Sequence, residues 1–252
     1  MNPSSNVRFD FSGRSAIVTG ASGGIGAEVV RLLHASGAHL VLVDLHPEAL
    51  EALADELGRE RVTLVPGDAS AQDTIDAAVA EAVAASGSVD LLLPVAGIYP
   101  RSTVAETSDE LWERVQRINL NGVFKLIRAC IPHFGAGSAV VTFASVAGHR
   151  GSQLHAHYAA SKAGVIALTR SLAHELGPAG VRVNAVSPGT INTGMVKDLV
   201  SDRGESMMAQ TPLHRFGEPG EVAAAAVFLA SDAASFITGE TLHVNGGLFM
   251  AG

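Results

Sequence analysis

The chain has 252 residues, of which 47% are hydrophobic, and a formal net charge of −8, so it can bury the core of one large α/β domain. No run of Lys or Arg exceeds two and no apolar stretch approaches about 18 residues, so neither a nucleic-acid partner nor a membrane span is expected. The single cysteine, Cys130, excludes an intramolecular disulfide, and a reducing, cytoplasmic location is expected.

Apolar runs and helical periodicities alternate along most of the chain. The predicted strands are Ser15–Thr19, His39–Asp44, Val62–Val65, Val89–Val95, Ala139–Ala144, Val181–Ser187 and Glu240–Val244. The predicted helices are Ile25–Ser36, Pro47–Leu57, Ala71–Ser86, Ser108–Ile131, His155–Leu176 and Gly220–Ser231. Strands that alternate with helices predict right-handed crossovers and a parallel sheet covered by helices on both faces.

Residues 1–252 are predicted to form a single domain, because no stretch reads as a linker between two domains. An N-terminal extension is expected at 1–11, where Met1–Asp10 lacks the apolar region of a secretory signal. The longest irregular region covers 189–218. Loops of this length inside a compact domain are usually functional, so this region is predicted to be a lid or loop over a substrate.

A glycine-rich turn joins the first predicted strand to the first predicted helix, with the sequence TGASGGIG at Thr19–Gly26. Glycines at such a turn let the backbone approach a pyrophosphate closely, and the following helix N-terminus offers free N–H groups. The spacing is GxxxGxG, not the more common GxGxxG. In this strand–turn–helix context it predicts a dinucleotide site, formed by Gly20, Ser22, Gly24, Ile25 and Gly26.

An acidic residue, Asp44, ends the second predicted strand, and Leu45 and His46 follow it. A carboxylate at this place can accept hydrogen bonds from both hydroxyls of an adenosine ribose, and it would repel a 2′-phosphate. No Lys or Arg lies beside it. The sequence therefore predicts that the cofactor is NAD and not NADP, with Leu45 beside the adenosine.

Tyr158 and Lys162 are four residues apart in a predicted helix, so they share one helix face. A cation beside a phenol lowers the pKa of the phenol. Free tyrosine titrates near ~10. A shift to neutrality takes about 4 kcal/mol, which a close charge pair and a cationic cofactor can supply together. The pair is predicted to give or take a proton at a carbonyl or alcohol oxygen.

These residues resemble the classical short-chain dehydrogenase/reductase family, whose members are NAD(P)-dependent oxidoreductases. The resemblance runs from about Ser12 to Gly247 and rests on the shared order of several short motifs. They are TGASGGIG at Thr19–Gly26, Asp44, Asp68, Ala96–Gly97, Asn119 in RINLNGVF, Ser145, YAASK at Tyr158–Lys162, Asn184, Thr193 and TGETLHVNGG near the end. The resemblance implies one Rossmann-like, doubly wound domain with a seven-stranded parallel sheet flanked by helices on both faces.

The resemblance also implies a catalytic tetrad of Asn119, Ser145, Tyr158 and Lys162. Tyr158 would be the general acid in reduction and the base in oxidation, and Ser145 would orient the substrate oxygen. Lys162 would lower the pKa of Tyr158 and bind the nicotinamide ribose, and Asn119 would hold a water that links Lys162 to solvent.

Further cofactor contacts follow from the same resemblance. They are Asp68 and Ala69 at the adenine, Ala96 and Gly97 beside the cofactor, and Pro188, Gly189, Ile191 and Thr193 at the nicotinamide end. Helices Ser108–Ile131 and His155–Leu176 would pack against a second copy in a homodimer or, more commonly, a homotetramer. The chain departs from the family at Pro94–Val95, where two asparagines are usual, and the missing backbone donor of Pro94 leaves the support of this loop open.

The segment between Ser145 and Tyr158 is unusually polar and is expected to meet the substrate. Its Arg150 can bind an anionic group, or it can be a solvated surface charge or part of a subunit contact. Gln153 and, on the lid, Met195 are further candidates for substrate contact. His155 and His157 are two apart and have no Cys or carboxylate to complete a ligand set, so no metal site is expected.

Three functions remain open from the sequence. The first is a NAD-dependent oxidoreductase acting on a secondary alcohol or its ketone. The second is an NADPH-dependent 3-oxoacyl carrier-protein reductase, against which Asp44 argues. The third is a non-catalytic dinucleotide sensor or scaffold, since the fold alone does not establish catalysis.

Overall fold

A computed structural model describes residues 9–196 and 204–250. Its strands are β1 (Ser15–Thr19), β2 (His39–Asp44), β3 (Val62–Pro66), β4 (Leu91–Pro94), β5 (Ala139–Phe143), β6 (Arg182–Pro188) and β7 (Thr241–Val244). They form one seven-stranded sheet in the order β3-β2-β1-β4-β5-β6-β7, and every pair of neighbours is parallel. The predicted doubly wound parallel sheet is confirmed.

Helices cover both faces of this sheet. They are α1 (Gly24–Ala35), α2 (Pro47–Leu57), α3 (Gln72–Ser86), α4 (Asp109–Gln116), α5 (Gly122–Cys130), α6 (Val146–Arg150), α7 (Ala156–Leu176), α8, described over 204–209, and α9 (Pro219–Ala230). Helix α6 was not predicted from the sequence, and α8 lies within the predicted lid.

Alternate residues of each strand face opposite layers, as a pleated strand requires. In β1, Ala16 and Val18 pack in the layer formed with α1, α2 and α9, whereas Ile17 packs in the layer formed with α3, α5 and α7. Cys130 is buried in the second layer, and burial raises the pKa of its thiol to about 12. It is a small buried hydrophobe, as expected.

The long helix predicted over Ser108–Ile131 is interrupted. A π-helical turn at Arg117–Asn121 separates α4 from α5, and a 3-10 turn at Ile131–His133 follows α5. The side chain of Asn119 in the π turn is fully buried and bonded to the backbone of a neighbouring loop. The widened turn brings Asn119 to that loop, in line with the tendency of π turns to occur at functional sites.

The end of the predicted N-terminal extension, 1–11, belongs to the core. Phe11 is 1% exposed and its backbone N–H donates to the carbonyl of Ser36 at 2.6 Å. Residues 1–8 lie outside the described part, as do residues 197–203 of the predicted lid. Within the part of the chain that is described, no helix is long and apolar enough to cross a bilayer.

Candidate active site

The residues predicted to bind a dinucleotide lie together at the carboxyl ends of the strands. The turn after β1 carries Gly20 and Ser22, and Asp44 and Leu45 mark the end of β2. Asp68 and Ala69 follow β3, Ala96 and Gly97 follow β4, and Pro188, Gly189, Ile191 and Thr193 lie at or after the end of β6. Ligands of open parallel sheets bind at this edge, where the crossovers change direction.

The glycine turn is built by close backbone contacts. Gly20 has a φ of +64°, and a Cβ placed on it would lie 2.8 Å from the nitrogen of Ala96. A Cβ on Gly26 would overlap the carbonyl oxygen of Gly20. Helix α1 begins at Gly24 and has no acidic residue in its first turn. The N–H groups of Ala21, Ser22 and Gly23 are bonded within the protein, whereas those in the first turn of α1 are open to an anion, which fits a bound pyrophosphate.

Asp44 connects the turn after β1 to the turn after β2. Its carboxylate accepts hydrogen bonds from the backbone N–H groups of Ser22 at 3.0 Å and His46 at 3.2 Å. Only 9% of Asp44 is exposed, whereas the next side chain, Leu45, is 65% exposed. No Lys or Arg among the described residues forms an ion pair with Asp44. A carboxylate held in this way fits hydroxyl groups and disfavours a phosphate.

Asp68 is bound to neighbouring side chains. It accepts hydrogen bonds from the backbone N–H and the hydroxyl of Ser70 at 2.8 and 2.7 Å and forms an ion pair with Arg117 at 2.8 Å. Burial opposes the charged form, but the hydrogen bonds from Arg117 and Ser70 outweigh it and hold the pKa of Asp68 below its ordinary value. Arg117 begins the π turn, so Asp68 also connects this turn to the strand edge.

The loop after β4 is held by Asn119. The Asn119 amide accepts from the N–H of Ile98 and donates to its carbonyl, both at 2.9 Å, and it donates to the hydroxyl of Ser161 at 3.3 Å. A Cβ on Gly97 would lie 3.3 Å from the Asn119 Oδ1 and 3.8 Å from the Lys162 Nζ. Glycine at 97 thus allows the loop to lie against two members of the predicted tetrad.

Pro94 costs the sheet no hydrogen bond. The N–H of Val95 donates to the carbonyl of Thr19 in β1, and because successive strand N–H groups alternate in direction, the nitrogen of Pro94 faces β5. The ladder between β4 and β5 ends earlier, at Leu92 and Val140. The proline therefore stands where no partner strand requires its donor, which explains how the chain tolerates this departure from the family pattern.

Ser145, Tyr158 and Lys162 converge at the end of β5. Ser145 is the N-cap of α6, where its hydroxyl accepts from the N–H of Ala147 at 3.2 Å, and its side chain acts to lower the pKa of Tyr158. Lys162 is buried, donates from Nζ to the carbonyl of Phe143 at 2.6 Å, and lies 5.7 Å from the centroid of the Tyr158 ring. The predicted helix-face relation of Tyr158 and Lys162 is present.

Taken together, the protein's own groups raise the pKa of Tyr158. Burial raises it to about 12, although the neighbouring Ser145 side chain acts in the opposite direction. Burial also lowers the pKa of Lys162 to about 8. The proximity of Lys162 by itself thus does not produce the effect that the sequence predicts, because removal from water disfavours both charged forms.

A cavity of about 580 Å³ opens beside these residues. Its walls come from five separate parts of the chain. The residues that line it are Tyr99, Ser145, Val146, Ala147, Arg150, Gly151, Ser152, Gln153, Tyr158, Gly189, Thr190, Ser206, Met207, Gln210 and Leu248. The predicted substrate residues Ser145, Arg150, Gln153 and Tyr158 are therefore at the cavity. Met195 is 52% exposed and is not among the described residues that line it.

Tyr99 lines the cavity and was not predicted from the sequence. Its ring stacks on that of His155 with centroids 3.8 Å apart, and it meets the Tyr158 ring edge-on at 4.6 Å. Its hydroxyl lies 3.3 Å from that of Ser152. The available signal was an aromatic residue two positions after Gly97, at the carboxyl end of a central strand. The contribution of α8 lies within the predicted lid, 189–218, whereas that of Leu248 carried no comparable signal.

The segment after β6 returns to the glycine turn. Gly189 donates its N–H to the carbonyl of Val244 at 3.0 Å, and Ile191 pairs with Gly217 in an isolated bridge. A Cβ on Gly24 would lie 2.9 Å from the methyl group of Thr193. The predicted nicotinamide and phosphate regions are thus adjacent. Among the described residues, no group of three or more His, Cys, Asp or Glu is placed to hold a metal ion.

Comparison with known proteins gives consistent matches over nearly the whole chain. Residues 20–249 match the family model described as enoyl-(acyl carrier protein) reductase. Nodulation protein G of Rhizobium sp. (strain N33) is 41% identical, with 96% of this chain and 99% of that protein covered. The 3-oxoacyl-[acyl-carrier-protein] reductase FabG of Escherichia coli (strain K12) is 39% identical, with 96% and 99% covered.

A solved structure agrees with the architecture as well. The crystal structure of short-chain dehydrogenase/reductase SDR:Glucose/ribitol dehydrogenase from Brucella melitensis superposes with a TM-score of 0.94 at 47% sequence identity. The match covers 97% of this chain and 100% of that one.

Proposed function

Since this chain belongs to the short-chain dehydrogenase/reductase family, we propose that this oxidoreductase is NAD-dependent and interconverts a secondary alcohol and its ketone. The observation that carries the proposal is that Ser145 and Tyr158 line one cavity and the buried Lys162 lies beside the Tyr158 ring, at the sheet edge that also carries the glycine turn. A proton donor, a hydroxyl that orients an oxygen and a buried cation are the groups that carbonyl reduction requires.

Tyr158 is the proposed general acid and base. Because burial keeps its pKa at about 12, the phenol is protonated at neutral pH and ready to donate to a carbonyl oxygen. Ser145 holds that oxygen through the hydroxyl that also meets Tyr158. Lys162 stabilises the phenolate that remains after the proton has left, since an ammonium close to a phenolate favours the charged form.

Asn119 is proposed to be a positioning residue for the loop after β4 and for a water near Lys162. Its side chain is occupied by Ile98 and Ser161, so a water that links Lys162 to solvent would have to bind at the main-chain carbonyl of Asn119. The side chain then keeps the loop after β4 against the buried ammonium.

The cofactor is proposed to bind along the carboxyl ends of the strands. The residues that would hold it are the glycine turn, Asp44, Asp68, the loop at Ala96 and Gly97, and the segment from Pro188 to Thr193. When bound, the nicotinamide supplies or accepts the hydride. We favour NAD because Asp44 offers two carboxylate oxygens to ribose hydroxyls and has no neighbouring cation to receive a 2′-phosphate.

An NADPH-dependent 3-oxoacyl carrier-protein reductase is the second candidate. The names of the relatives with 39% identity favour it, whereas Asp44 opposes a phosphorylated ribose. A non-catalytic dinucleotide sensor is less consistent with a tyrosine and a serine that line one cavity and a buried lysine beside that tyrosine.

We further propose a single-domain, cytoplasmic protein in which region 189–218 covers the substrate. A homotetramer, or a homodimer, is proposed to form through α4, α5 and α7. This is supported by Trp112 and Phe124, which lie on α4 and α5 and are 42% and 45% exposed, since large apolar side chains on a surface often mark an interface.

The proposal is tested with Tyr158→Phe. We expect kcat to fall by about 10²–10⁴, the usual contribution of a general acid–base group, while NAD binding measured by calorimetry is kept. Turnover with NAD and NADP is compared in parallel on a panel of secondary alcohols and ketones. A Tyr158→Phe protein with full activity would contradict the catalytic role, and equal or better use of NADP would contradict the cofactor assignment alone.

A further inference from the structure

Arg150 differs in charge from everything else around the cavity. It is the only Asp, Glu, Lys or Arg among the described residues that line it. No carboxylate in the described part of the chain pairs with it. Arg150 is exposed at the edge of the cavity, so an anion that comes from outside can reach its guanidinium without displacing a carboxylate of the described residues.

The distance between Arg150 and the reacting groups limits where that anion can be. Ser145 caps α6 and Arg150 is its last residue. A helical rise of about 1.5 Å per residue separates their backbones by roughly 7 Å along the axis. Both residues line the same cavity, so an anionic group bound by Arg150 and an oxygen bound by Ser145 can belong to one small molecule. This arrangement suits a carboxylate on the substrate itself.

Neutral donors lie next to Arg150. Ser152 follows it after one glycine, and the hydroxyls of Ser152 and Tyr99 are 3.3 Å apart at the cavity wall. Elsewhere the cavity is lined by apolar side chains from Val146, Met207 and Leu248. The wall thus offers a guanidinium and hydroxyls at one place and apolar surface at another, which matches a short molecule with an acid group and an aliphatic part.

We propose that the substrate is a small hydroxy acid or oxo acid whose carboxylate is bound by Arg150, with Ser152 and Tyr99 as additional donors. The planar guanidinium suits a carboxylate because it can donate two parallel hydrogen bonds. This inference rests on the proposed function and specifies its substrate class. A thioester carrier would present a phosphate instead, but its pantetheine arm places that phosphate many bonds from the thioester carbonyl.

The kinetic test compares 3-hydroxybutyrate with its uncharged methyl ester, each oxidised with NAD. We expect kcat/KM to favour the carboxylate by at least tenfold, and Arg150→Gln to reduce this preference by at least tenfold, mainly through the KM of the carboxylate. Arg150→Lys should keep part of the preference, because an ammonium retains the charge but not the bidentate geometry. Arg128→Gln, an equal loss of charge on α5, is the matched control and should leave the preference as it is.

A binding test does not depend on turnover. Calorimetric titration of 3-oxobutyrate into Tyr158→Phe protein saturated with NADH should show binding that is lost in the Tyr158→Phe, Arg150→Gln double variant. The carboxylate site would be overturned if 3-oxobutyrate still binds the double variant, or if it does not bind the single variant at all. It would also be overturned if wild type and Arg150→Gln prefer 3-hydroxybutyrate over its methyl ester equally. Acetoacetyl-CoA distinguishes a substrate carboxylate from a carrier phosphate as the bound anion. If Arg150→Gln weakened binding of this thioester but not of 3-oxobutyrate, the anion would be assigned to a phosphate.

The two proposals fail in different ways. If Tyr158→Phe keeps full activity, the proposed chemistry is wrong whatever Arg150 binds. If the methyl ester is oxidised and Tyr158→Phe is inactive, but Arg150→Gln has no selective effect, only the substrate class is wrong.

Discussion

The two halves of the cleft are built in different ways. The dinucleotide half consists of short turns that directly follow neighbouring strands, and it closes through backbone contacts such as that between Gly20 and Ala96. The substrate half is assembled from side chains of distant segments, from Tyr99 to Leu248. Contacts between backbones leave no room for variation, whereas side chains can be exchanged one at a time. The first half is therefore suited to a constant ligand and the second to a variable one.

The halves also differ at their left-handed residues. In the dinucleotide half the position with φ of +64° is Gly20, whereas in the loop between α6 and α7 the position with φ of +67° is Leu154. A bulky residue in this conformation costs about 1–2 kcal/mol, and glycine avoids the cost. The carbonyl of Leu154 accepts from the N–H of Ser102, so the strained residue connects two loops that flank the substrate cavity.

The largest effect is expected from Gly26→Ala. The new methyl group would overlap the carbonyl of Gly20, so the turn must move, and overpacking of this kind destabilises by about 3 kcal/mol or more. Denaturant unfolding measures the loss, and NAD binding should disappear with it. At Gly135 a Cβ would meet nothing within 4 Å, so Gly135→Ala is the control and should change the stability by less than about 1 kcal/mol. Equal behaviour of the two variants would show that the dinucleotide half is not held by backbone contact.

A smaller effect, on selectivity, is expected from Asp44→Asn. The amide keeps the size of the side chain but loses the charge that repels a 2′-phosphate, so the ratio of kcat/KM for NAD to that for NADP should fall by at least about tenfold, which corresponds to about 1.4 kcal/mol. Steady-state kinetics with both cofactors measures it. Glu48→Gln removes the same charge from the exposed first turn of α2 and should leave the ratio within about twofold, because exposed charges are screened. An unchanged ratio in Asp44→Asn would remove the reason for assigning NAD.

The smallest effect is expected in the substrate half, from Leu154→Gly. Glycine adopts the left-handed conformation without strain, which stabilises the folded state. The lost side-chain contacts and the greater freedom of glycine in the unfolded chain destabilise it. Because these contributions oppose each other, the net change in the free energy of unfolding should be below about 1 kcal/mol. Leu154→Ala loses nearly the same side chain but keeps the Cβ, and it should be less stable than Leu154→Gly by about 1 kcal/mol. If the alanine variant is the more stable one, Leu154 carries no backbone strain and the contrast with Gly20 is lost.

The sequence predicted what depends on neighbours along the chain. Apolar periodicity identified the seven strands and most helices, and the glycine turn and the pair Tyr158 and Lys162 followed from local spacing. The boundaries differ by one or two residues at several places, as at β4, predicted over Val89–Val95 and found at Leu91–Pro94. These features were accessible because a strand or helix places its residues by a fixed repeat.

Only the tertiary structure decided what depends on residues far apart. The π turn at Arg117–Asn121 occurs where Asn119 hydrogen-bonds the backbone of Ile98. Pro94 costs the sheet no hydrogen bond because β4 and β5 have already separated at this position. The pKa of Tyr158 follows from burial, which no local spacing reveals. The cavity joins Tyr99, Arg150, α8 and Leu248 across most of the chain. Spacing sets which side chains share a face, but the free energy of a charge or a contact is set by everything packed around it, and that packing exists only after the sheet has brought distant segments together.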